Sequence, residues 1–155
     1  MHIESWQAAY RGLMPQDVLD NLSVDASAER WVRIITTGAR SSRVLVAEHD
    51  GEISAWSSFG PARDVGAPAT GELYAIYAHP DSWSSGIGHA ILTAAEAELR
   101  DAGHLAAYLW VLEGNDRAVR FYERHEWAGD GALKVDERPG NVLREHRHVK
   151  TFAPE

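Results

Sequence analysis

The chain predicts an α+β fold whose mixed, mainly antiparallel sheet holds one parallel strand pair at its centre. Three observations predict it. Two strand-like runs, 43–49 and 52–59, flank Asp50-Gly51, the dipeptide best suited to a two-residue hairpin, so an antiparallel pair forms there. An apolar run over 72–78, an amphipathic stretch over 86–103 and a nearly continuous apolar run over 105–112 read as strand, helix and interior strand, a crossover whose strands are parallel. Two further strand-like runs, 127–135 and 141–150, are joined by the Arg138-Pro139-Gly140 turn. A length of 155 residues suits a single domain, 1–155, with one core.

Taken in order, the chain begins inside a helix, with Trp6, Ala9, Tyr10 and Leu13 at helical spacing. Pro15 opens a second short helix at its first position, with Val18, Leu19 and Leu22 on one side. A third helix over 26–37 carries Trp31, Ile34 and Ile35 as its buried stripe and stops at Gly38. Three helices thus precede any strand. The hairpin follows, with Val44, Leu45 and Val46 on its first strand and Ile53, Trp56 and Phe59 on its second. Residues 60–71, punctuated by Pro61, Gly66 and Pro68, form a loop. The crossover helix presents Ile87, Ala90, Ile91, Ala94, Ala95 and Leu99 on its packed face and ends at Gly103. Asn115 caps one more helix, running to about residue 125.

Composition narrows the function classes. With 23 Asp and Glu against 15 Lys and Arg, the net charge is −8, which disfavours nucleic-acid binding and favours a cationic or amine substrate. The absence of cysteine excludes disulfides, thiolate metal sites and a cysteine nucleophile. No apolar stretch approaches membrane-spanning length, and Met1-His2-Ile3-Glu4-Ser5-Trp6 does not read as a leader, so a cytoplasmic protein without membrane contact is expected. His146 and His148 alternate on a strand without a third ligand nearby; no metal is expected, and both read as surface or dimer-contact residues.

The chemistry concentrates in residues 72–88. A strand stops at His79-Pro80, and the turn Trp83-Ser84-Ser85-Gly86-Ile87-Gly88 leads into the long helix. Free N–H groups and the positive dipole end of that helix, bordered by small residues, make a phosphate cradle. It is neither a dinucleotide fingerprint, since Ile91 stands where a third glycine or alanine belongs, nor a P-loop, which needs Gly-Lys-Ser/Thr. Further on, Asn115 and Tyr122 lie seven residues apart and share a helix face two turns apart.

With these motifs at these separations the chain resembles the GNAT superfamily of acetyl-CoA-dependent N-acetyltransferases. Ser5-Trp6-Gln7-Ala8-Ala9-Tyr10 and Arg144-Glu145-His146-Arg147 extend the resemblance to both ends. It implies a three-layer fold and transfer of an acetyl group from acetyl-CoA to a primary amine, by direct attack in a ternary complex. It further implies that pantetheine runs along the backbone of Ile76, Tyr77 and Ala78, that the pyrophosphate sits on Trp83, Ser84, Ser85, Gly86, Ile87 and Gly88, that Asn115 contacts the cofactor, and that Tyr122 protonates the leaving thiolate. Trp6 and Tyr10 line the acceptor pocket in this picture. The acceptor is a small-molecule or peptide amine, and a homodimer is common in such proteins.

Deprotonation of the attacking ammonium needs a base. Glu72 is the candidate, because uninterrupted strand alternation turns it to the side of Ile76; Glu113 and His79 are the runners-up. The chain departs from the family in four places. Trp83 replaces the usual Gln or Arg, Ser84 and Ser85 replace a glycine and a basic residue, His125-Glu126-Trp127 lacks the usual glycine cap, and the first family strand is missing. These departures keep a second reading open, a CoA-binding module without turnover.

Overall fold

The computed structural model describes residues 1–38 and 41–152. Three helices come first: α1 (His2–Ala9), α2 (Gln16–Asp20) and α3 (Val24–Thr37). Strands β1 (Arg43–His49), β2 (Glu52–Pro61) and β3 (Gly71–Ala78) follow, then a 3₁₀ turn (Pro80–Ser82) and α4 (Ile87–Asp101). Strand β4 (Ala106–Leu112), helix α5 (Asp116–Glu123) and the hairpin β5 (Ala128–Arg138) and β6 (Asn141–Thr151) complete the chain. The strands make one six-stranded sheet in the order β1-β2-β3-β4-β6-β5. All neighbours are antiparallel except β3 and β4, as expected.

The Asp50-Gly51 hairpin forms with both residues at positive φ (51° and 82°), the backbone of a type I′ turn, and joins His49 to its partner Glu52. Alternation along β1 then divides the layers. Leu45 packs into the core under α4, whereas Val44 faces the helices α1 and α3. The main core lies on the α4 side, where Leu92, Ala95 and Leu99 meet Phe59, Leu73, Ala107 and Leu109. On the other face Trp56 and Tyr77, partners in register, carry α1 and α3 through the rings of His2, Trp6 and Trp31.

Three expectations about packing need correction. The stripe of α3 is not buried: Ile34 and Ile35 are 40% and 73% exposed, because only Trp31 leans on the sheet residue Trp56, while Ile34 overhangs a pocket that Ile35 does not line. Ala90 and Ala94 of α4 are exposed, and Leu92 replaces them on the packed face. His148 is buried rather than superficial, whereas His146 is partly exposed and pairs with Glu113 at 3.0 Å. Pro15 stands one place earlier than expected, as the N-cap of α2. Gly38 does stop α3, but with extended rather than left-handed backbone.

Helix ends show why the chain turns where it does. Helix α4 closes with Gly103 at φ 90° and His104 N–H donating to Leu99 O (3.1 Å), a six-to-one closure that needs left-handed backbone. Helix α5 closes in the same way without glycine. Glu126 takes φ 66° and Trp127 N–H donates to Tyr122 O at 3.1 Å, held there by a fully buried Trp127 ring whose Nε1–H donates to Glu96.

Candidate active site

The site begins where the parallel pair comes apart. Pairing between β3 and β4 is confined to Gly71 with Ala107 and Glu72 with Tyr108. Beyond Glu72 the strands diverge, because a bulge in the β2–β3 ladder leaves Tyr74 without an opposite residue and bends β3. The Tyr74 hydroxyl donates to Pro61 O (2.7 Å) and fixes the bend. The edge of β3 over residues 73–78 is therefore free of β4, and a cleft of about 470 Å³ opens between them.

At the mouth of the cleft stands the N-terminus of α4. Gly86 takes φ 88°, no side chain caps the helix, and the first bond into it is Ala90 N–H to Gly86 O, so the N–H groups before Ala90 remain available to an anion. Ser84, also left-handed at φ 63°, Gly86 and Gly88 line the cleft together with Trp83. Gly88 lies close under the Phe121 ring: a methyl there would stand 3.3 Å from it, so the ring would have to shift by a few tenths of an ångström to admit one. Ser85 and Ile87 do not line the cleft; Ser85 Oγ–H donates to Ser82 O instead.

Trp83 occupies the place of the family's usual polar residue as a brace. Its Nε1–H donates to Ala78 O (3.0 Å), and the Arg117 guanidinium lies over its ring at 3.4 Å. This ties the end of β3 to α5 and brings a cation to the cleft that the turn itself lacks. Arg124 and the bonded pair His89 and His125 (2.8 Å) line the same end. Asn115 lines the cleft and uses its side-chain oxygen to accept from Ala118 N–H as the N-cap of α5.

Two turns further along α5, Tyr122 reaches the cleft wall, 9% exposed, with no hydrogen-bonding partner among the described residues. Burial, and to a lesser degree Tyr10, raise its pKa above the ordinary phenol value, so the hydroxyl keeps its proton. Tyr10 and Tyr77 share a 2.6 Å hydrogen bond beside it, and burial raises both of their pKa values as well.

A second chamber, about 650 Å³, lies between the sheet and helices α1 and α3. The two chambers share Tyr10, Tyr74, Ala75, Tyr77, Leu112 and Glu145. Glu145, on β6 opposite Leu112, is the only carboxylate lining the cleft among the described residues, and its charge helps raise the Tyr10 pKa. Ile76, Tyr77 and Ala78 line the cleft as expected, and Trp6 and Tyr10 line the second chamber.

Glu72 lies elsewhere. The bulge at Tyr74 breaks the alternation that was to turn it toward Ile76, and it lines neither chamber. Only 2% exposed, its carboxylate accepts from Arg63 N–H, Nε–H and Nη2–H and from Tyr108 Oη–H. It pins the loop after β2 to the sheet. Of the runners-up, Glu113 is held by His146, and His79 caps the 3₁₀ turn by accepting from Asp81 N–H. Among the described residues no group of three potential ligands could hold a metal ion, and no helix is long and apolar enough to cross a membrane.

A sheet parted at its one parallel pair, with a bare helix N-terminus at the opening and a proton-holding tyrosine on the wall, defines an acetyl-CoA-dependent acyltransferase. The chain belongs to the acetyltransferase (GNAT) family, whose model matches residues 5–127, and is an N-acetyltransferase. It is 30% identical over 126 residues to the uncharacterized N-acetyltransferase YuaI of Bacillus subtilis, covering 81% of this chain and 69% of that protein. A probable N-acetyltransferase of Mycobacterium tuberculosis, Rv2775, is 28% identical over 136 residues, covering 84% and 72%. Among solved structures, a GNAT-family protein of Desulfovibrio desulfuricans superposes with a TM-score of 0.71 at 20% identity, over 97% of this chain and 91% of that one. The PaiA N-acetyltransferase of Thermoplasma acidophilum, solved in complex with coenzyme A, gives 0.66 at 20% identity, over 97% and 87%.

Proposed function

We propose that this N-acetyltransferase acts on a primary amine by direct attack in a ternary complex, with acetyl-CoA in the β3–β4 cleft and the amine in the second chamber. The observation that carries this reading is that the two chambers share a wall that includes Tyr10, Tyr77 and Glu145, beside Tyr122. Acetyl-CoA supplies the thioester. The free edge of Ile76, Tyr77 and Ala78 suits the pantetheine amides, and the α4 N-terminus suits the pyrophosphate. Arg117, brought in by Trp83, offsets the missing basic residue of the turn, and Asn115 orients the helix that carries Tyr122.

The amine must be neutral to attack. Glu145 is the carboxylate placed to accept its proton, directly or through the Tyr10 hydroxyl, and Glu72 acts by positioning the loop over 62–70. The N–C bond forms, the C–S bond breaks, and the thiolate takes the Tyr122 proton, which solvent restores. A phenol of raised pKa serves because the same dry surroundings raise the basicity of the thiolate. Holding both reactants in one frame supplies much of the acceleration. A cytoplasmic setting fits the absence of cysteine. A homodimer through the exposed β1 edge, where Val46 is 55% exposed, completes the reading; sedimentation equilibrium giving only monomer removes that part.

The test is calorimetric titration with acetyl-CoA followed by thiol release against a panel of amines. Binding with release for one class of amine supports transfer. Binding with no release for any amine favours the non-catalytic module instead.

A further inference from the structure

Residues 83–88 hold no Lys or Arg, so the turn itself brings no cation to an anionic cofactor. The basic groups at this end of the cleft come from α5 and from the first turn of α4. Arg117, Arg124 and His125 line it, and so does His89, which is exposed at the mouth. The two helices dock through Phe121, whose ring would stand 3.3 Å from a methyl on Gly88 and lies 4.6 Å from the His125 ring. That contact brings His89 Nδ1 within 2.8 Å of His125 Nε2.

The protons of this pair are fixed by its partners. His125 Nδ1 lies 2.7 Å from Phe121 O, and a carbonyl only accepts, so Nδ1 carries the hydrogen. In the neutral pair His125 Nε2 then accepts from His89 Nδ1–H, and His89 Nε2, without a partner among the described residues, is a bare lone pair that repels a phosphate oxygen. One added proton reverses this. A proton stays between the rings, Phe121 O keeps its donor, and His89 Nε2 becomes an N–H whichever ring holds the charge. No other nitrogen of the pair can gain a hydrogen without breaking one of the two bonds.

Nearby charges leave the change to the pair. Arg117 and Arg124 stay charged throughout the range in which imidazoles titrate. The acids of α5, Asp116 and Glu123, and Glu126 beyond it line no part of the cleft, and the first acid along α4, Glu96, is tied to Trp127 and Lys150.

Resting on the acetyl-CoA reading of the cleft, we propose that His89 and His125 form a proton-dependent phosphate contact, in which the cofactor binds with uptake of a proton by the pair and His89 Nε2–H donates to a phosphate oxygen. A phosphate beside the pair favours its charged form, so the bound pair holds its proton to higher pH than the free pair. The added affinity is therefore present at low pH and lost as pH rises.

The experiment is calorimetric titration with CoA at pH 8.0 and 6.5 of the parent, His89→Asn and His89→Arg, repeated with dephospho-CoA, which lacks the 3′-phosphate. Asparagine keeps an N–H where Nδ1–H stands but has nothing at Nε2, whereas arginine is charged at both pH values. The parent Kd is expected to fall about fivefold or more on acidification, an imidazole passing from mostly neutral to charged over this range. Each variant changes less than twofold, with His89→Arg binding at both pH values as tightly as the parent at pH 6.5. The second proton of a phosphate monoester, with pKa about 6, acts in the opposite sense and does not produce this fall. A fall that vanishes with dephospho-CoA supports the contact and assigns it to the 3′-phosphate; one that persists supports it at the pyrophosphate. A parent Kd that is flat with pH, or an equal fall in His89→Asn, overturns the proposal and leaves cofactor binding standing. No binding of CoA at either pH overturns the cofactor reading and the proposal together.

Discussion

The proton inventory is set by a few side chains, and two of them divide the roles the sequence assigns to one. If Glu145 takes the amine proton, Glu145→Gln lowers kcat about 100-fold and removes the acidic limb of the pH–rate profile, with the melting temperature little changed. Glu72→Gln does the reverse: it breaks a buried hydrogen-bonded pair, lowers the melting temperature by several degrees and leaves the shape of the profile intact. Rate profiles and thermal melts of the two variants check this, and the opposite pattern restores Glu72 as the base. The tyrosines make a second prediction. Tyr10, Tyr77 and Tyr122 all have folded pKa values raised above the unfolded value of about 10, chiefly by burial. Above that value the unfolded chain releases protons that the folded one retains, so stability is fully present below pH 10 and falls as pH rises beyond it. Melts from pH 8 to pH 11 test this, and Tyr77→Phe flattens the fall. That Asn115 and Tyr122 line one cleft is legible from their spacing in the sequence, because a helix fixes which residues share a face. The position of Glu72 is not, because one unannounced bulge reverses a strand's alternation.

Local signals serve well wherever an element is closed by its own residues. The Asp50-Gly51 turn, the Asn115 cap and the Gly103 stop all appear as the chain implies, since each satisfies backbone groups a few residues away. The stripe of α3 fails for the complementary reason. Its spacing says which residues lie together, but what covers them depends on distant strands, and here a chamber lies beneath. The missing glycine at the end of α5 shows tertiary packing overriding a local rule. Glu126 holds left-handed backbone because the burial of Trp127 outweighs the local strain. Glu126→Gly accordingly stabilises the protein by about 1 kcal/mol, read from urea unfolding; a loss of stability there contradicts the strain.

For the molecule as a whole, the fold is legible because the crossover and two hairpins leave few arrangements of six strands, while the second chamber, built by residues from eight elements, is invisible to any local pattern. If acetyl-CoA binds in the β3–β4 cleft, between strands and helix ends that unfolding separates, it acts as a stabiliser. At 100 times its Kd it adds about 2.7 kcal/mol and raises the melting temperature by about 5–10 °C, measured by scanning calorimetry. The central claim is that the cleft holds the thioester against Tyr122 as proton donor, and Tyr122→Phe tests it most directly when acetyl-CoA affinity by calorimetry and turnover by thiol release are measured on the same preparation. The account predicts a Kd within twofold of the parent and a kcat lower by about 100-fold or more. A variant that turns over like the parent, or loses affinity in step with rate, contradicts it.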